Sequence, residues 1–480
     1  MANPGVHVYE KATAVSTPVT ADVGIPFAVG VAPVHAATKA AKANVPVLAT
    51  SWDEAVEKLG FSDDWKSYPL CEVIYSHFQL FGCQPVVFCN VLDIEKMKTA
   101  AEAKDFTVID HKAVLPFEMI NDDTLVVMSD SSKLVRDEDY SVLYDESVMN
   151  GNEKGACIVE LLSGGSAYEA TTLNIAGNMV DPAAPKEADI VTGVAEIDAC
   201  MNRVGVIPDL IIAPGWSHLP GVAAVMATKA AGINGLFRAK ALIDVDCGAS
   251  GVKQYSDLVA YKAKNNLVDE NEILCWPQMK LGERQFHMST QLAGLMAQVD
   301  TANGGIPYES PSNKNFQMDT CCLESGEEIS LTFEQANMIS SYGIVTALNF
   351  MSSGWTCRNN YTACYPGNTD VKDYFIPVSR MFDFVANTLI RTFWAKLDKP
   401  MVRRLIDTIL DTCNIWLGGL VGSEYLLGAR AVLLDSENPL TDLMNGIIRI
   451  HIYITPPSPA QEIDFTLEYD VAYVTAALAA

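Results

Sequence analysis

Few residues in this sequence have the types and spacing that a reaction needs. The nearest approach to a hydrolase motif is Gly215-Trp-Ser217-His-Leu219, which follows an apolar run and precedes a helix-like segment. A nucleophile elbow carries a small residue two positions after its serine, so that the backbone turns sharply; Leu219 stands there instead. His218 is the immediate neighbour of Ser217, and adjacent side chains do not normally face one another as a nucleophile and its base must. An α/β serine hydrolase with Ser217 as nucleophile is therefore the weaker of two readings. The seven histidines are scattered, in neither H-E-x-x-H nor H-x-x-x-H spacing. His218 and His287 read as satisfied surface side chains, and Asp244 and Asp246 as caps or turn residues. No C-x-x-C occurs among the 12 cysteines, and both glycine-rich phosphate-binding patterns are missing. No catalytic residue, metal ligand or cofactor site is expected.

Charge narrows the partners further. Lys and Arg total 33 against 59 for Asp and Glu, a formal net charge of -26. Nucleic acid phosphates and anionic membrane surfaces repel such a chain. The basic residues gather in one stretch that includes Arg380, Arg391, Lys396, Lys399, Arg403 and Arg404. They form either a cationic face toward an acidic partner or pairs within a helix, since Asp407 lies three and four residues beyond Arg404 and Arg403. The N-terminus has no basic-then-apolar signal pattern, and no apolar run approaches a membrane span. Cysteines this dispersed, in a chain this long, read as reduced and mostly buried, as in a reducing cytoplasm.

The elements that would position these residues fall into six segments of a 480-residue chain, long enough for several cores. Residues 1–20 read as an extended N-terminal arm, with Val6 and Val8 alternating with His7 and Tyr9; a frayed terminus is the alternative. Residues 21–94 and 189–357 alternate strand and helix patterns, which implies an α/β core with a parallel sheet covered on both faces. Residues 95–188 are short β-type runs between Asn-, Asp- and Gly-rich turns, an inserted all-β domain of sandwich or barrel form projecting from the outer surface. Residues 358–459 read as an α+β C-terminal domain. It opens with amphipathic helices at 380–397 and 401–413 and continues with strands near 425–434 and 447–454. In the second strand Ile448, Ile450, Ile452 and Ile454 share one face.

Residues 460–480 are a C-terminal arm. After Thr455-Pro-Pro-Ser-Pro459 comes the cleanest alternation in the chain, with Ile463, Phe465, Leu467, Tyr469 and Val471 on one side. Prolines cannot donate ladder hydrogen bonds, so this strand is held off its own domain. It either adds to a sheet in another subunit or folds back on its own.

Particular motifs at both ends resemble the contractile phage tail sheath family. Pro4-Gly-Val-His-Val-Tyr-Glu10 is similar to the opening of sheath N-terminal arms. The longer match contains Tyr365-Pro-Gly-Asn-Thr-Asp370, Arg404-Leu-Ile-Asp407, Gly428-Ala-Arg430, Glu437-Asn-Pro439, Asp442, Gly446 and Pro456-Pro-Ser-Pro-Ala-Gln-Glu-Ile463. Residues 209–214 and 310–314 resemble the sheath domain called subtilisin-like for its topology. A departure is Gln461, where a Glu is usual. The resemblance covers nearly everything except the β insertion. It implies a structural subunit and no enzyme, assembling as stacked helical sixfold rings around an inner tube and contracting to drive that tube through a cell envelope. The implied partners are further copies of the chain, the tail tube protein, and baseplate and tail terminator proteins. The implied place is the virion tail, after assembly in the host bacterial cytoplasm. Arm strands carrying Val6, Val8, Tyr9, Ile463, Phe465, Leu467 and Tyr469 would join neighbouring subunits. The strand with Ile448, Ile450, Ile452 and Ile454 would receive them, and Arg391, Lys396, Arg403 and Arg404 would face the tube.

Overall fold

A computed structural model gives the architecture and describes residues 18–151, 153–351 and 354–478. The expected N-terminal strand with Val6, Val8 and Tyr9 lies outside the described residues.

The apolar runs of both α/β segments join one eight-stranded sheet. Its order is Trp355–Arg358, Ile344–Asn349, Glu272–Cys275, Lys240–Asp244, Leu210–Ile212, Pro26–Gly30, Val86–Asn90 and Val47–Ala49. The six central strands are parallel, and the two edge strands run antiparallel to their neighbours. Every residue of Pro26–Gly30, Val86–Asn90 and Lys240–Asp244 is buried, as parallel strands covered on both faces must be. Helices Glu187–Ala195 and Pro220–Ala231 pack together and against the sheet. Met288–Ala302 reaches it alongside the turn Ser76–Phe81, where a Cβ on Gly294 would lie 2.4 Å from the Phe81 ring. Only glycine allows that approach.

Between Val86–Asn90 and Leu210–Ile212 the chain builds a seven-stranded antiparallel sheet around a separate core that includes Leu115, Val127, Val159 and Leu173. Its long strand Lys98–Ile109 pairs with Thr172–Val180 over most of its length, then passes to Lys112–Leu115 at its end. The β-type runs of the sequence fall on strands of this sheet. The polar first half of Lys98–Ile109 gave no such signal, because most of its residues are exposed.

The last segment departs from its expected boundaries. The helices run at Ile376–Phe393 and Arg403–Gly422. The first starts early because Pro377 suits an opening turn. The second continues past Cys413 because buried Leu417 and Leu420 extend its apolar stripe. That gain offsets about 1 kcal/mol for each interior glycine. The strands shrink to an antiparallel pair, Gly428–Val432 with His451–Thr455. Ile450, Ile452 and Ile454 pack against a third core with Phe384, Leu417 and Leu426, but only Ile452 and Ile454 lie on the strand; Ile448 and Ile450 precede it. Residues 461–470 form neither helix nor strand, and Val471 opens the helix Val471–Leu478 rather than ending a strand. Asp470 accepts the Ala472 N–H at 2.8 Å, the bond of an N-cap.

A buried ionic cluster joins this segment to the core. Arg380 donates to Asp209 at 2.7 Å and to Asp300 at 2.6 Å, and Lys240 pairs with Asp383 at 3.0 Å. Burial disfavours the Asp300 carboxylate more than Arg380 favours it, so its pKa rises to about 6.

Candidate assembly surfaces

The C-terminal segment leaves the body at Gln461, whose Oε1 accepts the Tyr361 hydroxyl at 2.5 Å. Tyr361 stacks on Tyr365 at 3.9 Å, so the Tyr-Pro-Gly motif builds the anchor of the segment. Gln in place of Glu keeps this anchor neutral. Beyond it Ile463, Phe465, Leu467 and Tyr469 are 71%, 86%, 96% and 77% exposed. Four large apolar side chains in open solvent, with no pairing strand among the described residues, are a surface that waits for a partner.

The two-stranded sheet offers such a partner one edge more than the other. Asn414 of the helix Arg403–Gly422 accepts the Ala431 N–H at 2.8 Å and donates to the Ala431 carbonyl at 3.0 Å. The outer edge of Gly428–Val432 is thereby occupied. No described strand pairs with the outer edge of His451–Thr455. Motif residues brace the loop that leads there: Asn438 bonds the Arg449 N–H and carbonyl, both at 2.8 Å, and Glu437 bonds His451 at 2.8 Å.

The basic stretch separates into two populations. Arg380 is buried in the ionic cluster, and Arg391 is largely buried and pairs with Asp22 at 2.7 Å, pinning the start of the described chain along its helix. Lys396 is half-buried in the turn that follows. Arg403 and Arg404 are exposed, with Arg403 3.7 Å from Asp407. Around them Trp394, Leu397, Met401 and Val402 are exposed. The interhelical tip is thus apolar with a basic rim. The sequence registered its charge but not its apolar centre, because Trp394 and Leu397 also fit the helix periodicity.

Ser217 does not form a hydrolase site. It is fully buried, its hydroxyl donates to Asp244 at 3.0 Å, and its oxygen accepts the Asp244 N–H. Ser289 holds the same carboxylate at 2.5 Å. Nearby, a cleft of about 500 Å³ is lined by Glu72, His218, Asp246, Arg284, His287 and Glu324. Glu72 accepts the His287 backbone N–H at 2.6 Å and its Nδ1–H at 2.8 Å. Burial disfavours the imidazolium, yet the Glu72 carboxylate wins and carries the pKa up to about 9. A histidine held as a cation is a poor general base at neutral pH. Among the described residues no cluster of His, Cys, Asp and Glu fits a metal ion. No described helix is long and apolar enough to cross a membrane. All 12 cysteines are free and buried, and burial pushes their thiol pKa values up.

No family model matches the chain. Among curated proteins, the tail sheath protein of Burkholderia phage BcepMu is 25% identical over 417 residues, spanning 82% of this chain and 83% of that protein. Among solved structures, the helical sheath of the anti-feeding prophage in its contracted state aligns with a TM-score of 0.58 at 12% identity, over 98% of this chain and 100% of that one. The sheath complex of the PVC extracellular contractile injection system, also contracted, gives 0.57 at 12% identity, over 98% and 99%. The sheath tail protein of Desulfitobacterium hafniense gives 0.50 at 12% identity, over 89% and 93%. The mixed α/β fold with several sheets is shared with sheath proteins along nearly the whole chain.

Proposed function

We infer that this chain, which resembles contractile tail sheath proteins in both sequence and fold, is the repeating subunit of such a sheath. It polymerises as stacked helical sixfold rings around an inner tube and contracts to drive that tube through a target envelope. Its role is mechanical and not enzymatic. The carrying observation is the terminal segment with Ile463, Phe465, Leu467 and Tyr469 exposed, in a chain where no described strand pairs with the outer edge of His451–Thr455. A segment with a strand's alternation and a strand edge that do not meet among the described residues of one copy meet between copies. Such head-to-tail contacts do not close on themselves, and they generate helical assemblies. Contraction trades one set of intersubunit contacts for a larger one while the arms keep the lattice connected.

Residues 21–94 with 189–357 form the core of subtilisin-like topology, a division supported by their shared eight-stranded sheet. Residues 95–188 are an outer insertion, 358–459 the receiving domain, and 1–20 and 460–480 the arms, with Val6, Val8 and Tyr9 on the first. The interhelical tip with Lys396, Arg403 and Arg404 faces an acidic tube protein; Arg391 serves instead at the root of the N-terminal arm, as its bond to Asp22 supports. Baseplate and terminator proteins bound the sheath, which belongs to a virion-type tail assembled in the host bacterial cytoplasm.

The test is negative-stain microscopy of the purified protein, which should form hollow tubes. Phe465→Asp with Leu467→Asp should leave a folded monomer that forms none. Normal tubes from that variant would end the arm reading.

A further inference from the structure

The arm does not stop at its strand. Asp470 caps a helix, Val471–Leu478, that contains no charged residue. Tyr473 and Leu478 are 76% and 81% exposed on it. Eight residues are too few to hold a helix in water by themselves, so its stability must come from packing. It finds little of that packing in its own subunit, where every residue from Gln461 to Tyr473 is exposed. Nine residues separate its start from the Gln461 anchor, a span of up to about 33 Å.

The matching cavity lies in the C-terminal segment. A cleft of about 390 Å³ opens between the start of the described chain, the turn after Met288–Ala302 and the two long helices. Ile306, Phe384, Trp416 and Leu420 line it, all members of the third core, whose other flank is covered by Ile452 and Ile454 of the receiving sheet. The rings of Tyr308 and Tyr425, packed against the same core, meet at 4.8 Å. Its one charged lining residue, Asp22, is already neutralised by Arg391. An uncharged apolar helix and a cleft with an apolar wall, whose one carboxylate is ion-paired, are complementary in chemistry.

We propose that the helix Val471–Leu478 of one subunit seats in this cleft on the next subunit, as a second clasp beyond the arm strand. The proposal rests on the arm reading above. The strand supplies backbone hydrogen bonds and register; the helix supplies apolar burial that locks the strand against sliding out. The occupant is a second copy of the chain, because the arm that carries the helix runs exposed from Gln461 to Tyr473 and leaves its apolar side chains uncovered within one subunit.

Two full-length variants test it. Tyr473→Glu with Leu478→Lys places charges on the helix at the ends where its dipole favours them, so the helix itself is not penalised. Tubes should still form, with the critical concentration for assembly raised at least tenfold. Thr20→Cys with Leu478→Cys should give a ladder of covalent oligomers when assembled tubes are oxidised, since every native thiol is buried. An unchanged critical concentration for the charged variant, a crosslink confined within one chain, or a ladder from Leu478→Cys alone would overturn the clasp. If Phe465→Asp with Leu467→Asp assembled normally, the arm reading itself would fall, so the two failures are distinct.

Discussion

Single residues decide what this protein withstands. Arg380 neutralises two carboxylates in a buried site, and removing it leaves both uncompensated. Arg380→Met should destabilise the subunit by about 3–5 kcal/mol, measured by urea unfolding of the monomer. A loss under about 1 kcal/mol would mean that water reaches the site. His287 makes the second prediction. Its folded pKa of about 9 lies above the ordinary histidine value of 6.5. The stability it contributes is therefore complete below pH 6.5 and is lost as pH rises toward 9, an amount on the order of 3 kcal/mol. The melting temperature should fall across that window, and Glu72→Gln should flatten the fall. Neither interaction was legible in the sequence. Arg380 read as one more basic residue of a surface cluster, and Glu72, 215 positions from His287, carried no mark of its partner. Leu219 and the adjacency of His218 argued in the sequence against Ser217 as a nucleophile, but the place of Ser217 in the core was not legible. Nor was its bond to Asp244, because local spacing says nothing of a contact 27 residues away.

Elements were more legible than their ends. Strands of the central sheet stood out because burial on both faces leaves uninterrupted apolar runs, and Ser51 was readable as the cap it forms for Trp52–Leu59. The arm alternation was equally plain, yet it concealed the change to helix at Val471. Alternation and helical packing both accept Val-Ala-Tyr-Val, and only the Asp470 cap decides. Gly418 and Gly419 lie past the expected helix end at Cys413, inside a helix that burial carries through to Gly422. Both face open space in the subunit. Gly418→Ala and Gly419→Ala should each stabilise the monomer by about 0.5–1 kcal/mol in urea unfolding. Gly294→Ala should do the opposite, because the Phe81 ring already fills the space its methyl would take. Equal effects at these three sites would contradict the packing described.

For the molecule as a whole, the formal charge of -26 sets two salt dependences of opposite sign. Like-charged copies repel, so added salt should lower the concentration at which tubes form. Contacts between the basic tip and an acidic tube should weaken over the same range, because exposed charges are screened within about 10 Å at 0.1 M salt. Sedimentation of sheath alone and of sheath with tube, from 50 mM to 500 mM salt, should separate the trends. If Lys396, Arg403 and Arg404 reversed to Glu left tube binding at low salt unchanged, the tip would lose its assigned partner. The buried thiols carry a different kind of consequence. With 12 free cysteines and none at the surface, the folded chain is chemically silent toward a thiol-reactive dye. Each unfolded copy answers with twelve. Dye uptake therefore counts damaged subunits in a particle of any size, and it reads whether a sheath that has fired still consists of intact parts.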